Sequence, residues 1–235
     1  MDIEKSHIYH IYNQGNNRQR VYFNHDNYIL FLKKIKDYNI PHADILAWCL
    51  MPNHFHLMIY VHTQEIIVLN ANSLTPDLTN SLTPSEAISK KITKTPSDIR
   101  KIRTINDSIG LILRTYTRAI NNQEKRSGSV FKSQTKAECV TKVNATTPSF
   151  FNSSFGAQIN VRIPENEYPQ VCFKYIHDNP VNVKLVTKPE NWEFSSYMDY
   201  VGLRNGKLIN RQRAKEFGLI FTDGLTFSET INNLK

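Results

Sequence analysis

Long apolar runs are missing from this 235-residue chain. No stretch reaches about 18 apolar residues, so no membrane-spanning helix is indicated. The opening residues MDIEKSHIYH are charged and hold no apolar centre of the kind a secretory leader needs. Cysteine is scarce. Cys49, Cys139 and Cys172 are odd in number and far apart, which argues against a disulfide framework and a CxxC metal knot. A reducing, cytoplasmic setting is the simplest expectation. Acid is in short supply as well, and the formal net charge is +8. Between Lys90 and Glu138 twelve Lys and Arg face four acids, which accounts for the whole excess. A basic block of this kind suits a polyanion such as nucleic acid, although a solvated lysine-rich face has the same composition.

What is present is enough apolar residue, 40%, for one good core. His7 to Gln14, HIYHIYNQ, alternates and is rich in aromatic and β-branched residues, which predicts a strand ended by Gly15-Asn16-Asn17. Asn24 to Asn39 carries apolar residues at 28, 31, 32 and 35, the spacing of a helix. ADILAWCL (43–50) and His54 to Val61 read as strands broken by Pro52-Asn53, and so short a connection makes them antiparallel neighbours. A helix is expected from about Asp107 to Glu124, with Ile109, Leu111, Ile112 and Tyr116 as its apolar stripe. Val130 to Val140 predicts another strand. Tyr168 to Asp178 predicts a helix ended at Asn179-Pro180, because the residue before proline is pushed out of the α region. A small helix is expected near 211–217.

Residues 62–97, where NSLTP occurs at 72–76 and again at 80–84, read as a low-complexity insertion with loose helical pieces. Residues 141–165 read as a second insertion, a hairpin, and a small C-terminal extension starts near 203. The expectation is one domain over 1–235. Its fold class is α+β, a ferredoxin-like or RRM-like antiparallel sheet with helices packed on one face.

One stretch carries chemistry: MPNHFHLMIY (51–60). Side chains at i and i+2 of a strand share a face, so His54 and His56 project side by side while Phe55 faces the other way. Neighbouring neutral imidazoles are a ready pair of metal ligands, although an isolated HxH is more often two unrelated surface histidines. A third ligand has to come from another element. In FKYIHDNP (173–180) Tyr175 and Asn179 stand at i and i+4, on one helix face. An amide oxygen with two imidazoles suits a divalent ion such as Mg²⁺ or Mn²⁺. Tyr175 beside it would be a phenol able to act as a covalent nucleophile. His177, two residues on, faces elsewhere. His7, His10 and Tyr12 of the first strand read as structural by default.

Three blocks together resemble a known family. MPNHFHLMIYV, the basic LILRTYTRAINNQEKRSGSVFKSQTKA (111–137), and YIHDNPV (175–181) followed by ENWEFSSYMDYVG (190–202) are similar to the single-tyrosine HUH transposases of insertion sequences, in particular the domesticated REP-associated tyrosine transposases. The resemblance covers about 7–61, 107–140 and 167–202; the two insertions depart from it. It implies a metal-dependent endonuclease and strand transferase for single-stranded or hairpin DNA, working through a 5′-phosphotyrosine. It further implies His54, His56 and Asn179 as metal ligands and Tyr175 as the nucleophile. Arg114, Arg118, Lys125, Arg126 and Lys132 are expected to meet DNA phosphates, with Tyr116 and Phe131 either stacking bases or packing in the core. Tyr116 is the rival nucleophile, but position 120 is isoleucine and offers no polar partner one turn on. Two other classes remain open: a non-catalytic nucleic-acid binder on an RRM-like sheet, and a metal phosphoesterase that activates water. The long tail favours a monomer, with a homodimer as the alternative.

Overall fold

The structure, a computed structural model, describes residues 1–69, 100–142, 150–153, 156–159 and 168–221. Both NSLTP segments lie outside these residues. Strands β1 (Ile8–Gln14), β2 (Ala43–Met51), β3 (His54–Val61) and, later in the chain, Lys136–Cys139 form a four-stranded antiparallel sheet. Its order is β2, β3, β1, then the Lys136–Cys139 strand at the edge. The alternation seen in the sequence sets the two faces. Tyr9, Ile11, Phe55, Leu57 and Ile59 point into one apolar cluster; Ile8 and Met58 join the other, on the side of His10 and His56.

Helix α1 (His25–Asn39) begins in a capping box, Asn24 and Asn27 satisfying each other's backbone N–H groups. Tyr28, Phe31 and Ile35, three and four apart, bury its inner face. Helix α2 (Ile105–Gln123) starts two residues before the expected point because Thr104 and Asp107 form a second capping box. Its buried stripe is Ile105, Ile109, Ile112, Tyr116 and Ile120; Leu111 sits beside it, half-buried. Both helices pack on the Tyr9–Ile11 face, where Phe31 meets the rings of Phe55, Tyr116 and Phe131. Burying one such phenyl ring stabilises the fold by about 1.5–3 kcal/mol. The α+β class and the antiparallel sheet match the expectation; helices confined to one face do not, because the apolar residues Ile8, Leu46, Cys49, Met51 and Met58 on the other face need a cover of their own.

Helix α3 (Tyr168–Asn182) adds a layer on the opposite face, setting Val171, Cys172, Phe173 and Ile176 against Ile8, Leu46, Cys49, Met51 and Met58. It runs through Pro180 instead of ending before it. The proline lies in the last turn, so it forfeits only its own N–H bond. The Val183 N–H reaches the Asn179 carbonyl (3.2 Å) and the Leu185 N–H the Pro180 carbonyl (2.9 Å).

Two further differences have local causes. Strand β4 (Glu65–Leu69, EIIVL) pairs antiparallel with β5 (Arg100–Thr104), so the β-branched start of the first insertion is strand and not loose helix. Within 130–140 only Lys136–Cys139, which is β6, joins the sheet; Phe131 makes a single bridge to Gly15 and buries its ring in the core. Strands β7 (Phe150–Ser153) and β8 (Gly156–Ile159) pair as an antiparallel hairpin. Short helices α4 (Tyr197–Tyr200) and α5 (Arg211–Glu216) follow α3. Among the described residues no helix is long and apolar enough to cross a membrane.

Candidate active site

The ladder register puts the site together. Tyr12 lies opposite His56 on one side and Lys136 on the other, His10 opposite Met58 and Glu138, and Gln14 opposite His54. All of these project from the face that α3 covers. From α3, Tyr175 and Asn179 descend one turn apart onto the two histidines. The Asn179 Oδ1 lies 3.3 Å from His54 Nε2, and its Nδ2 lies 3.3 Å from His56 Nε2. The His54 and His56 rings stand 4.9 Å apart at 88°. The Tyr175 ring meets His56 edge-on at 5.4 Å and 81°, and hydrogen-bonds to Asn179. One early strand and one late helix of the same chain thus supply all four side chains.

The turn before β3 holds the first histidine. Asn53 Nδ2 donates to the Arg18 carbonyl (3.3 Å), which leaves Oδ1 to accept from His54 Nδ1 (2.6 Å). The Asn53 carbonyl in turn accepts from Gly15 N–H (2.8 Å). Gly15 has to be glycine here, because an added Cβ would collide with the Gln19 carbonyl and press on Val21. With its proton on Nδ1, His54 presents a bare Nε2 lone pair to the Asn179 oxygen, also an acceptor. Two lone pairs facing each other without a proton between them could seat a cation. Among the described residues no cluster of three His, Cys, Asp or Glu could hold a metal; the converging set here is two imidazoles and an amide.

Burial sets the charge states. It lowers the imidazole pKa of His54 to about 4, of His10 to about 3 and of His56 well below the usual 6.5, so all three are neutral at pH 7. It pushes the Tyr175 phenol upward, and Asn179's hydrogen bond pulls the other way. On the edge strand, burial raises the Glu138 carboxyl while the Tyr12 hydroxyl, donating to Oε1 at 2.6 Å, opposes that shift.

No protein-family model matches the chain, and no curated protein matches it. Among solved structures it is similar to one described as "Structure of the REP associates tyrosine transposase bound to a REP hairpin", at 14% sequence identity and a TM-score of 0.48, with 86% of this chain and 83% of that chain covered.

The remaining sequence-based candidates separate cleanly. Arg114, Arg118, Arg126 and Lys132 line one cleft of about 1000 Å³, joined by Lys136, while Lys125 is exposed outside it. Tyr116 is fully buried and donates to the Val21 carbonyl (2.7 Å), so it is a core residue and not a nucleophile; Phe131 is core too. His177 is off the site: its Nδ1 donates to the Phe173 carbonyl (2.8 Å) and its Nε2 accepts from Ser196 (2.7 Å). His10, assigned a structural default by sequence, stands inside the site with Nε2 2.9 Å from His56 Nδ1. The alternation of HIYHIYN could have flagged it, since it places His10 and Tyr12 on one face.

Proposed function

We propose that the protein is a metal-dependent single-stranded DNA endonuclease and strand transferase that works through a 5′-phosphotyrosine on Tyr175. The supporting observation is the meeting of Tyr175 and Asn179 with His54 and His56 within one chain. The three blocks of resemblance agree with it. His54 Nε2, His56 Nε2 and Asn179 Oδ1 would hold Mg²⁺ or Mn²⁺, and the facing acceptors of His54 and Asn179 fit that role. The bound ion supplies Lewis-acid polarisation of a scissile phosphate oxygen.

The chain's own groups do the rest. The Tyr175 oxygen forms a bond to phosphorus as the bond from phosphorus to the 3′ oxygen breaks. The phenol gives up its proton and the departing oxygen takes one up, leaving a free 3′-OH. Attack by a 3′-OH on the tyrosyl phosphate reverses the step, so one phosphodiester is exchanged for another and no external energy source is needed. Burial around Tyr175 excludes the water that would otherwise hydrolyse the intermediate. Arg114, Arg118, Arg126 and Lys132 would carry the flanking phosphates, with Lys125 at the margin.

The test is incubation with end-labelled single-stranded hairpin DNA and Mn²⁺, followed by denaturing electrophoresis. A covalent adduct is expected from the wild type and none from Tyr175→Phe. An adduct that survives in Tyr175→Phe overturns the nucleophile, and cleavage without any adduct points instead to a water-activating phosphoesterase.

A further inference from the structure

Two imidazoles from adjacent strands face each other nitrogen to nitrogen at the back of the site. His10 Nε2 lies 2.9 Å from His56 Nδ1, the rings 5.1 Å apart and 24° from parallel. Only one proton fits between them, and whichever ring owns it decides what the far side of His56 can do. If His56 Nδ1 carries it, Nε2 is a lone pair turned into the site. If His10 carries it, His56 Nε2 bears hydrogen and cannot bind a cation.

The surroundings decide between the two. Asn179 Nδ2 sits 3.3 Å from His56 Nε2, and an amide nitrogen donates but never accepts. With the amide turned this way, as the metal reading requires of its oxygen, His56 Nε2 is the acceptor and its proton is on Nδ1, pointing at His10. We propose that His10 is a positioning residue: by accepting this proton it fixes the tautomer of His56 and aims its Nε2 at the place where His54 and Asn179 converge. The inference rests on the metal reading given above and extends it to a residue outside the ligand set. Each ligand histidine then has its own acceptor, the Asn53 amide oxygen for His54 and the His10 ring for His56. His10 is 1% exposed, so water has no access to take its place. A neutral acceptor also holds the ring without adding the negative charge that a carboxylate would bring to the site.

A merely structural His10 would fill space and leave the proton on His56 where it is, so the test reads that proton directly. Imidazole ¹⁵N shifts are recorded on the metal-free, full-length protein at pH 8. His56 is expected as the Nδ1–H tautomer in the wild type. His10→Phe keeps an aromatic ring but offers no acceptor, and should give a mixture or the Nε2–H form. His10→Gln, whose amide oxygen can accept the same proton, should restore the wild-type pattern. In calorimetric titration with Mn²⁺, His10→Phe should bind about 10- to 100-fold more weakly, the usual effect of losing such a partner, and His10→Gln close to wild type.

A wild-type His56 protonated on Nε2 overturns the proposal without any variant, which covers the case of a Phe variant that fails to fold. Unchanged shifts and unchanged Mn²⁺ affinity in a folded His10→Phe protein overturn it as well. A wild type that binds no Mn²⁺ sinks the metal reading instead, while the nitrogen shifts still decide whether His10 sets the tautomer.

Discussion

His54 is the most open of the four site side chains, at 9% exposed against 3% for Tyr175 and 2% for Asn179. Under the proposed function, a phosphate would therefore come in over His54. His54→Ala removes a proposed ligand at this threshold and leaves the basic cleft beside α2 untouched. DNA cleavage should fall below detection in a gel assay, while fluorescence anisotropy should show binding within about threefold of wild type; equal loss of both in a folded variant would count against the separation of the two sites. At this scale the sequence was half legible. HxH and the Tyr175–Asn179 spacing are local patterns, set by strand and helix periodicity alone. The contact of His10 with His56 depends on how two strands 46 residues apart align, and nothing local encodes that.

Among the elements, α2 holds Tyr116 and Ile120 in the core while Arg114 and Arg118, one turn apart, stay exposed on the cleft. Removing one phosphate-binding side chain should reduce the slope of log affinity against log salt by about 1. Arg114→Glu with Arg118→Glu is expected to flatten that slope by about 2 and weaken single-stranded DNA binding, read by anisotropy from 50 to 300 mM salt. A parallel titration line would place the DNA elsewhere. Helix α1 and the β2–β3 pair were readable because their patterns are complete within one short window. The β4–β5 hairpin was not, since its second strand, RKIRT, arrives 30 residues after the first and its basic residues read as part of a charged block. Pro180 misled for a different reason: proline forbids helix in mid-course, but near a helix end it costs a single hydrogen bond.

At the scale of the whole molecule, the buried histidines tie stability to pH. His10, His54 and His177 have pKa values lowered to about 3, 4 and 3, and His56 lies well below its usual value, all through burial. The unfolded chain protonates near 6.5. Above that pH neither state carries these protons and the histidines contribute nothing to pH dependence. Between about 6.5 and 4 the unfolded chain takes up protons that the folded one refuses, so stability falls as pH falls. Metal-free protein should show a declining urea midpoint across this window. His177→Asn, away from the candidate site, should reduce the decline by up to about 1.4 kcal/mol per pH unit, the contribution of one proton. A midpoint that stays level from pH 7 to 4.5 would mean these rings are not held neutral.

The residues after α3 also lie along the outer edge of β2. The Leu50 N–H reaches the Phe194 carbonyl (2.8 Å), the Ser196 N–H the Trp48 carbonyl (2.9 Å) and the Asn210 N–H the Ile45 carbonyl (2.8 Å). An uncovered strand of nine residues, nearly all apolar, is a template on which another molecule can add its own strand. A chain stopped just before Trp192 would keep every proposed catalytic group yet expose that template. Its expected fate is self-association, visible as growing particle size in light scattering, and a truncated protein that stayed dispersed would deny the strip any guarding role. The segment that contributes no chemistry would then be what keeps the molecule in solution long enough to perform any.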